Sequence, residues 1–236
     1  MYKDKKILAI IPARGGSKGI KNKNIVDLCN RPLISYSIIA ALESKYIDKV
    51  VVSTDSEEIA EVARNYDAEV PFLRPKEFAS DTAKTIDAVM HCIETLEEMG
   101  QTYDYLVLLQ PTQPLRQAYH IDEAIELLMD KDEVSLISVR RVIDHPILIR
   151  TIDEVGNGVN LMNQSSTQRR QDFKQYYKVN GSIYINKIDQ LTYETSLNDN
   201  KVCYIMEDQY DIDIDEHFDL SIAELKLTNL KSNNKY

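Results

Sequence analysis

The chain lacks most of what would mark a membrane, disulfide-bonded or nucleic-acid-binding protein. No apolar run in its 236 residues approaches the roughly 20 needed to span a bilayer, so no membrane association is expected. The apolar stretch 7–12, behind a basic N-terminus, is too short for a signal-peptide core, and residence in the cytoplasm is expected. Cysteine is scarce. Cys29, Cys92 and Cys203 are odd in number, widely spaced and form no Cys-x-x-Cys pair, which argues against a disulfide framework and against zinc. His91, His120, His145 and His217 show no metal-ligand spacing either. Positive charge is outweighed: 28 Lys and Arg against 38 Asp and Glu leave a formal net charge of −10, so no nucleic-acid partner is expected. Internal repeats and low-complexity segments are absent too.

What is present is a pattern of short apolar runs alternating with amphipathic stretches, within a 43% hydrophobic chain. That alternation predicts βα units and a largely parallel sheet. Predicted strands are 7–11, 50–53, 70–73, 105–109, 134–139, 182–185 and 202–206. Asp55 or Ser56 can cap a helix with Ile59, Val62, Ala63 and Tyr66 on its apolar face. Further helices follow from Ile86, Val89, Ile93 and Leu96, from Ile121, Ile125 and Leu128, and from Phe218, Ile222 and Leu225. Pro32 suits the first turn of a helix carrying Leu33 to Leu42. Between about Arg140 and Asn180 the rhythm changes. Runs 147–152 and 159–162 flank Gly156-Asn157-Gly158 and read as a β-hairpin, a small excursion from the sheet.

The strongest chemical signal follows the first strand. Residues 14–24 contain Gly15, Gly16 and Gly19, which let backbone N–H groups approach an anion, and Arg14, Lys18, Lys21 and Lys23 with no acidic residue. Like charges at ~4 Å repel by about 4 kcal/mol at an effective dielectric of 20, a strain that a polyanion relieves. A triphosphate fits; a solvated basic loop is the alternative. The segment is neither a Walker A loop nor the dinucleotide fingerprint.

A second signal is Asp211-Ile212-Asp213-Ile214-Asp215, whose alternation puts the aspartates on one strand face. Converging carboxylates suit a hard cation such as Mg²⁺, which triphosphate chemistry requires; spacing alone equally allows an acidic sheet edge. Third, Gln110-Pro111-Thr112-Gln113-Pro114-Leu115-Arg116 ends a buried strand with polar groups between two prolines, where α/β sheets place ligands, or it is only a rigid connection. The polar loop from Arg74 to Thr85 is similar. Arg169, Arg170 and Lys178 could meet an anionic co-substrate or form a subunit contact.

Together, the loop 11–24, the Leu-Leu-Gln-Pro-Thr-x-Pro-Leu-Arg segment at 108–116, Asn180-Gly181-Ser182-Ile183-Tyr184 and Asp213-Ile214-Asp215 resemble the acylneuraminate cytidylyltransferases, the CMP-sialic acid synthetases. The resemblance runs in order from Ile7 to about Leu225. It implies a Rossmann-like three-layer α/β/α fold with a mostly parallel sheet, one nucleotidyltransferase domain over 1–230. It also implies a homodimer, with 140–180 as the inserted dimerisation excursion. The implied reaction joins CTP to a nonulosonic acid, giving the CMP-sugar and pyrophosphate, with Mg²⁺. By position, Arg14, Gly15, Ser17, Lys18 and Lys23 serve the phosphates, with Arg14, Lys18 and Lys23 catalytic. Arg74 and the Ala83 backbone read cytosine, and Asn24 and Thr85 contact ribose. Gln110, Arg170 and Tyr184 face the sugar acid, and Asp213 with Asp215 hold the metal. Lys178 stands where members often have arginine, and the phenylalanine pair of some members is missing between Leu191 and Asn200. The sugar is therefore open among sialic, legionaminic and pseudaminic acids. A Kdo cytidylyltransferase, which typically continues differently after the first strand, and a non-catalytic nucleotide sensor are the competing readings.

Overall fold

The computed structural model describes residues 1–17, 19–80, 82–162, 167 and 169–232, with the backbone alone at Arg170. Its first half runs β1 (Ile7–Pro12), β2 (Asp27–Leu28), β3 (Arg31–Pro32), α1 (Leu33–Leu42), β4 (Lys49–Ser53), α2 (Glu57–Asn65), α3 (Thr85–Glu98) and β5 (Tyr105–Leu108). The second half runs α4 (Ala118–Asp130), β6 (Ser135–Arg141), β7 (Arg150–Ile152), β8 (Gly158–Asn160), β9 (Tyr177–Lys187), β10 (Val202–Ile205) and α5 (His217–Ser232).

Six strands form the central sheet in the order β10-β6-β9-β5-β1-β4. β1 pairs in parallel with β4 and β5, and β10 with β6. β9 alone is antiparallel, wedged between β5 and β6. Both faces are covered, which is why β1 reads as a continuous apolar run. Ile7, Ala9 and Ile11 face a core shared with α1, α2, α4 and α5, while Leu8 and Ile10 face a second core against α3. The expected three-layer fold with a mostly parallel sheet is the one observed. Among the described residues no helix is long and apolar enough to cross a membrane.

Several local expectations are corrected. Segment 70–73 is not a strand: only Glu69 bridges to Val51, and Pro71 has no N–H to continue the pairing. β9 begins five residues earlier than the apolar pattern suggests and carries a register break against β6 between Ile137 and Val139. There Gly181 adopts φ +73°, and the Asn180 side chain accepts from Ser138 Oγ at 2.6 Å. In α5 the buried stripe is Leu220, Ala223, Leu227 and Leu230, whereas Phe218 and Leu225 are exposed. Both stripes have helical spacing, and the one with the small Ala223 is the one that packs on the sheet. Pro32 sits one residue ahead of α1 rather than in its first turn. Ser56 caps α2, accepting from Ile59 N–H at 3.4 Å. The hairpin at Gly156–Gly158 is present, with β7 and β8 paired antiparallel and Asn157 N–H bonded to Asp153 at 2.7 Å.

Candidate active site

β1 and β5 are neighbours and parallel, so the loops at their C-terminal ends open onto one edge of the sheet. The glycine-rich loop after β1 leans on the turn that follows β4. Ala13 N–H bonds Ser53 O at 2.9 Å, and Gly15 N–H bonds the Asp55 carboxylate at 2.9 Å. From inside the loop, the nearly buried Asn24 donates to Arg14 O at 2.9 Å. Its far end is pinned by Lys23, whose ammonium donates at 2.9 Å both to Ile214 O and to the Asp215 carboxylate. A methyl group at Gly19 would overlap the Asp215 carbonyl oxygen, so only glycine permits this closeness.

Segment 211–215 is extended but is not a sheet strand, which corrects that part of the expectation. Ile214 N–H bonds Thr112 O at 3.0 Å and its side chain is fully buried, leaving Asp213 and Asp215 turned toward the cleft. Asp213 keeps contact with the cavity, yet burial raises its carboxyl above the ordinary range, against a hydrogen bond from Thr112, with Asp215 adding to the rise and Lys23 opposing it. Among the described residues no three histidine, cysteine or carboxylate side chains gather into a metal cage.

A cavity of about 640 Å³ brings these parts together: Arg14, Ser17, Lys23 and Asn24 on one wall, Asp213 and Asp215 on another. Its inner end holds Arg74, only 6% exposed. Nη1 of Arg74 donates to Phe78 O at 3.3 Å, while Nε and Nη2 are buried without a hydrogen-bond partner among the described residues. Burial lowers the guanidinium's pKa, and Asp55 is the leading charge opposing that. Ala83 and Thr85 line the same cavity. A second cavity of about 410 Å³ adjoins it, bounded by Tyr184 and by side chains from 193–198. Lys84, Thr85 and Gln110 line both.

The segment after β5 is locked to β9. Gln113 donates to Asn180 O at 2.6 Å, and Arg116, 1% exposed, donates to Ser182 O at 2.6 Å. These bonds hold Gln110 against the Gly181 bend, where an added methyl group would stand 2.9 Å from Gln110 Oε1. Tyr184 donates to Asn198 at 3.3 Å, and burial raises its phenol pKa.

A family model described as cytidylyltransferase matches residues 8–235. The chain belongs to the cytidylyltransferase family. It is 36% identical over 220 residues to an N-acylneuraminate cytidylyltransferase of Escherichia coli, covering 92% of this chain and 51% of that one. It is 37% identical over 227 residues to a CMP-N,N'-diacetyllegionaminic acid synthase of Legionella pneumophila, covering 93% and 95%. The chain thus spans about half the length of the first relative and nearly all of the second. Among solved structures, a CMP:2-keto-3-deoxy-manno-octonic acid synthetase complexed with CTP superposes with a TM-score of 0.69 at 15% identity, covering 96% of this chain and 99% of that one. At that identity it shows the shared fold.

Within this family member, the sequence-predicted residues Arg14, Ser17, Lys23, Asn24, Arg74, Ala83, Thr85, Gln110, Asp213 and Asp215 converge on one cavity, and Tyr184 on its neighbour. Gly15 lines neither, and its amide is taken by Asp55. Lys18 and the Arg170 side chain lie outside the described residues. Arg169 pairs with Asp172 at 2.9 Å and, like Lys178, lines neither cavity. Two residues escaped the sequence reading. Asp55 looked like one of two helix caps, and only the fold shows it buttressing the glycine loop. Lys84 lies in the polar loop 74–85, which sequence alone leaves equally as surface or site, with no role for the lysine itself.

Proposed function

We propose that the protein transfers the cytidylyl group of CTP to a nonulosonic acid, releasing pyrophosphate. One observation carries this reading: a cationic glycine loop and a pair of carboxylates share one cavity, and a second cavity opens beside them. Family membership and relatives named for sialic and legionaminic acids support it.

Arg14, Lys23 and, by position, Lys18 hold the triphosphate. The two unpartnered nitrogens of buried Arg74 suit the acceptor edge of a cytosine, since a buried donor left unsatisfied costs about 1–3 kcal/mol. Ala83 supplies backbone groups beside it, and Asn24 and Thr85 stand at the ribose. Gln110, Tyr184 and Arg170 serve the sugar acid. The hydroxyl on the anomeric carbon attacks the α-phosphorus and gives up its proton to solvent, the bond to the bridging oxygen breaks, and pyrophosphate leaves. Both substrates are anions, so catalysis rests on positioning and charge neutralisation by the loop cations.

The donor set fits Mg²⁺, which takes one or two carboxylates plus substrate phosphate oxygens. Asp213 and Asp215 would hold it, since both line the cavity beside the loop cations. When bound, the ion would neutralise phosphate charge and polarise the phosphoryl oxygen.

We also propose that the excursion over about 140–180 joins two copies of the chain. Among the described residues the β7–β8 ribbon has no sheet neighbour, and Ile143, Ile152 and Val155 are at least 69% exposed. An isolated two-stranded ribbon is marginal in water. Light scattering should therefore give twice the chain mass.

The function is tested by pyrophosphate release with CTP, Mg²⁺ and a panel of sialic, legionaminic, pseudaminic and Kdo acids. Release with at least one nonulosonic acid is expected. CTP binding without release from any sugar would overturn the assignment.

A further inference from the structure

In a nonulosonic acid the carboxyl carbon is bonded directly to the anomeric carbon, whose hydroxyl attacks the α-phosphorus. The carboxylate therefore has to sit at the border between the nucleotide cavity and the sugar cavity, close to a phosphate of the same sign. Among the described residues three line both cavities: Lys84, Thr85 and Gln110. Thr85 and Gln110 are neutral. Among the described residues lining the second cavity, Lys84 is the only cation. It forms no ion pair among the described residues; its backbone N–H is bonded to Asp87, and its side chain is exposed. Lys84 is also the N-cap of α3, so the positive end of that helix faces the same border and adds to the favourable field.

We propose that Lys84 binds the carboxylate of the sugar acid at the junction of the two cavities. The inference rests on the proposed function and adds an anion-binding residue to it. Lysine is a compact point charge on a flexible stem, suited to following a carboxylate as the sugar approaches. Its position also selects for substrate: a sugar lacking a carboxylate at the anomeric carbon would leave the ammonium unpaired beside the reacting centre.

The test is steady-state kinetics on Lys84→Met and Lys84→Arg, with the preferred nonulosonic acid and with its C1 amide. Lys84 is exposed, so both variants should fold. For Lys84→Met, KM for the sugar acid should rise on the order of 10- to 100-fold, the scale of one charge-assisted hydrogen bond, while KM for CTP stays unchanged. Lys84→Arg should recover part of the loss. Wild-type enzyme should discriminate against the amide, and Lys84→Met should lose most of that discrimination. An equal rise in KM for CTP would put Lys84 on the α-phosphate and overturn the assignment. Unchanged kinetics in Lys84→Met, with wild-type turnover normal, would sink this inference alone. A wild-type enzyme that releases no pyrophosphate with any nonulosonic acid sinks it together with the proposed function.

Discussion

The two ends of the cleft are built differently. At the nucleotide end the walls are backbone and buried polar groups: Gly19 lies against the Asp215 carbonyl, Asn24 is inside the loop, and Lys23 bridges to the opposite wall. At the sugar end they are side chains on a connecting segment, with Glu194, Ser196 and Asn198 exposed. A backbone wall admits almost no substitution, so it fixes one chemistry. A side-chain wall can change residue by residue, and under the proposed function that lets it set which sugar is taken.

That contrast can be broken, starting with the largest effect. Asp213→Asn should lower turnover on the order of a thousandfold, the several kcal/mol expected when a metal carboxylate is lost. The same variant should melt higher than wild type in metal-free buffer at neutral pH. The carboxyl is raised in the folded state, so its ionised form disfavours folding. That penalty is absent below the ordinary carboxylate range and grows as pH rises through the raised value. A melting scan against pH checks the sign. Asparagine should flatten the dependence.

Gly19→Ala comes next. The overlap with a backbone oxygen forces the loop off segment 211–215, costing about 1–3 kcal/mol of stability and raising KM for CTP about tenfold. Unchanged melting and CTP kinetics would mean that the loop and the carboxylates need not touch.

Asp55 has a kinetic effect of similar size. Asp55→Ala removes the acceptor of Gly15 N–H and the main charge balancing Arg74, so KM for CTP should rise roughly tenfold, about 1.5 kcal/mol. Asparagine keeps an acceptor oxygen and should restore most of it. Neither change should move KM for the sugar acid, which is the kinetic signature dividing the two ends.

Much of this architecture is legible in the sequence, and the illegible parts share a cause. β1, β4, β5 and β6 are apolar runs of ordinary strand length, and α3 and α4 have single apolar stripes, so local pattern decides them. The glycine loop and the 211–215 carboxylates are marked by unusual local chemistry. What fails depends on partners distant in the chain. Pro71 ends a pairing that residues 70–73 alone would allow. α5 offers two stripes, and only the sheet selects one. β9 is stretched by an Asn180–Gly181 bend whose ligands, Gln113 and Ser138, lie more than 40 residues away. Asp55 and Lys84 were missed for the same reason, because their meaning is the cavity wall each helps to build.

The most direct test of the shared cleft is calorimetric titration of CTP with and without Mg²⁺, on wild type and Asp213→Asn. Mg²⁺ should tighten CTP binding at least about tenfold in wild type, one charge-assisted contact or more, and leave the variant nearly unaffected. CTP binding by wild type that ignores Mg²⁺, or an equal response in both proteins, would contradict a triphosphate held between the loop and the carboxylates.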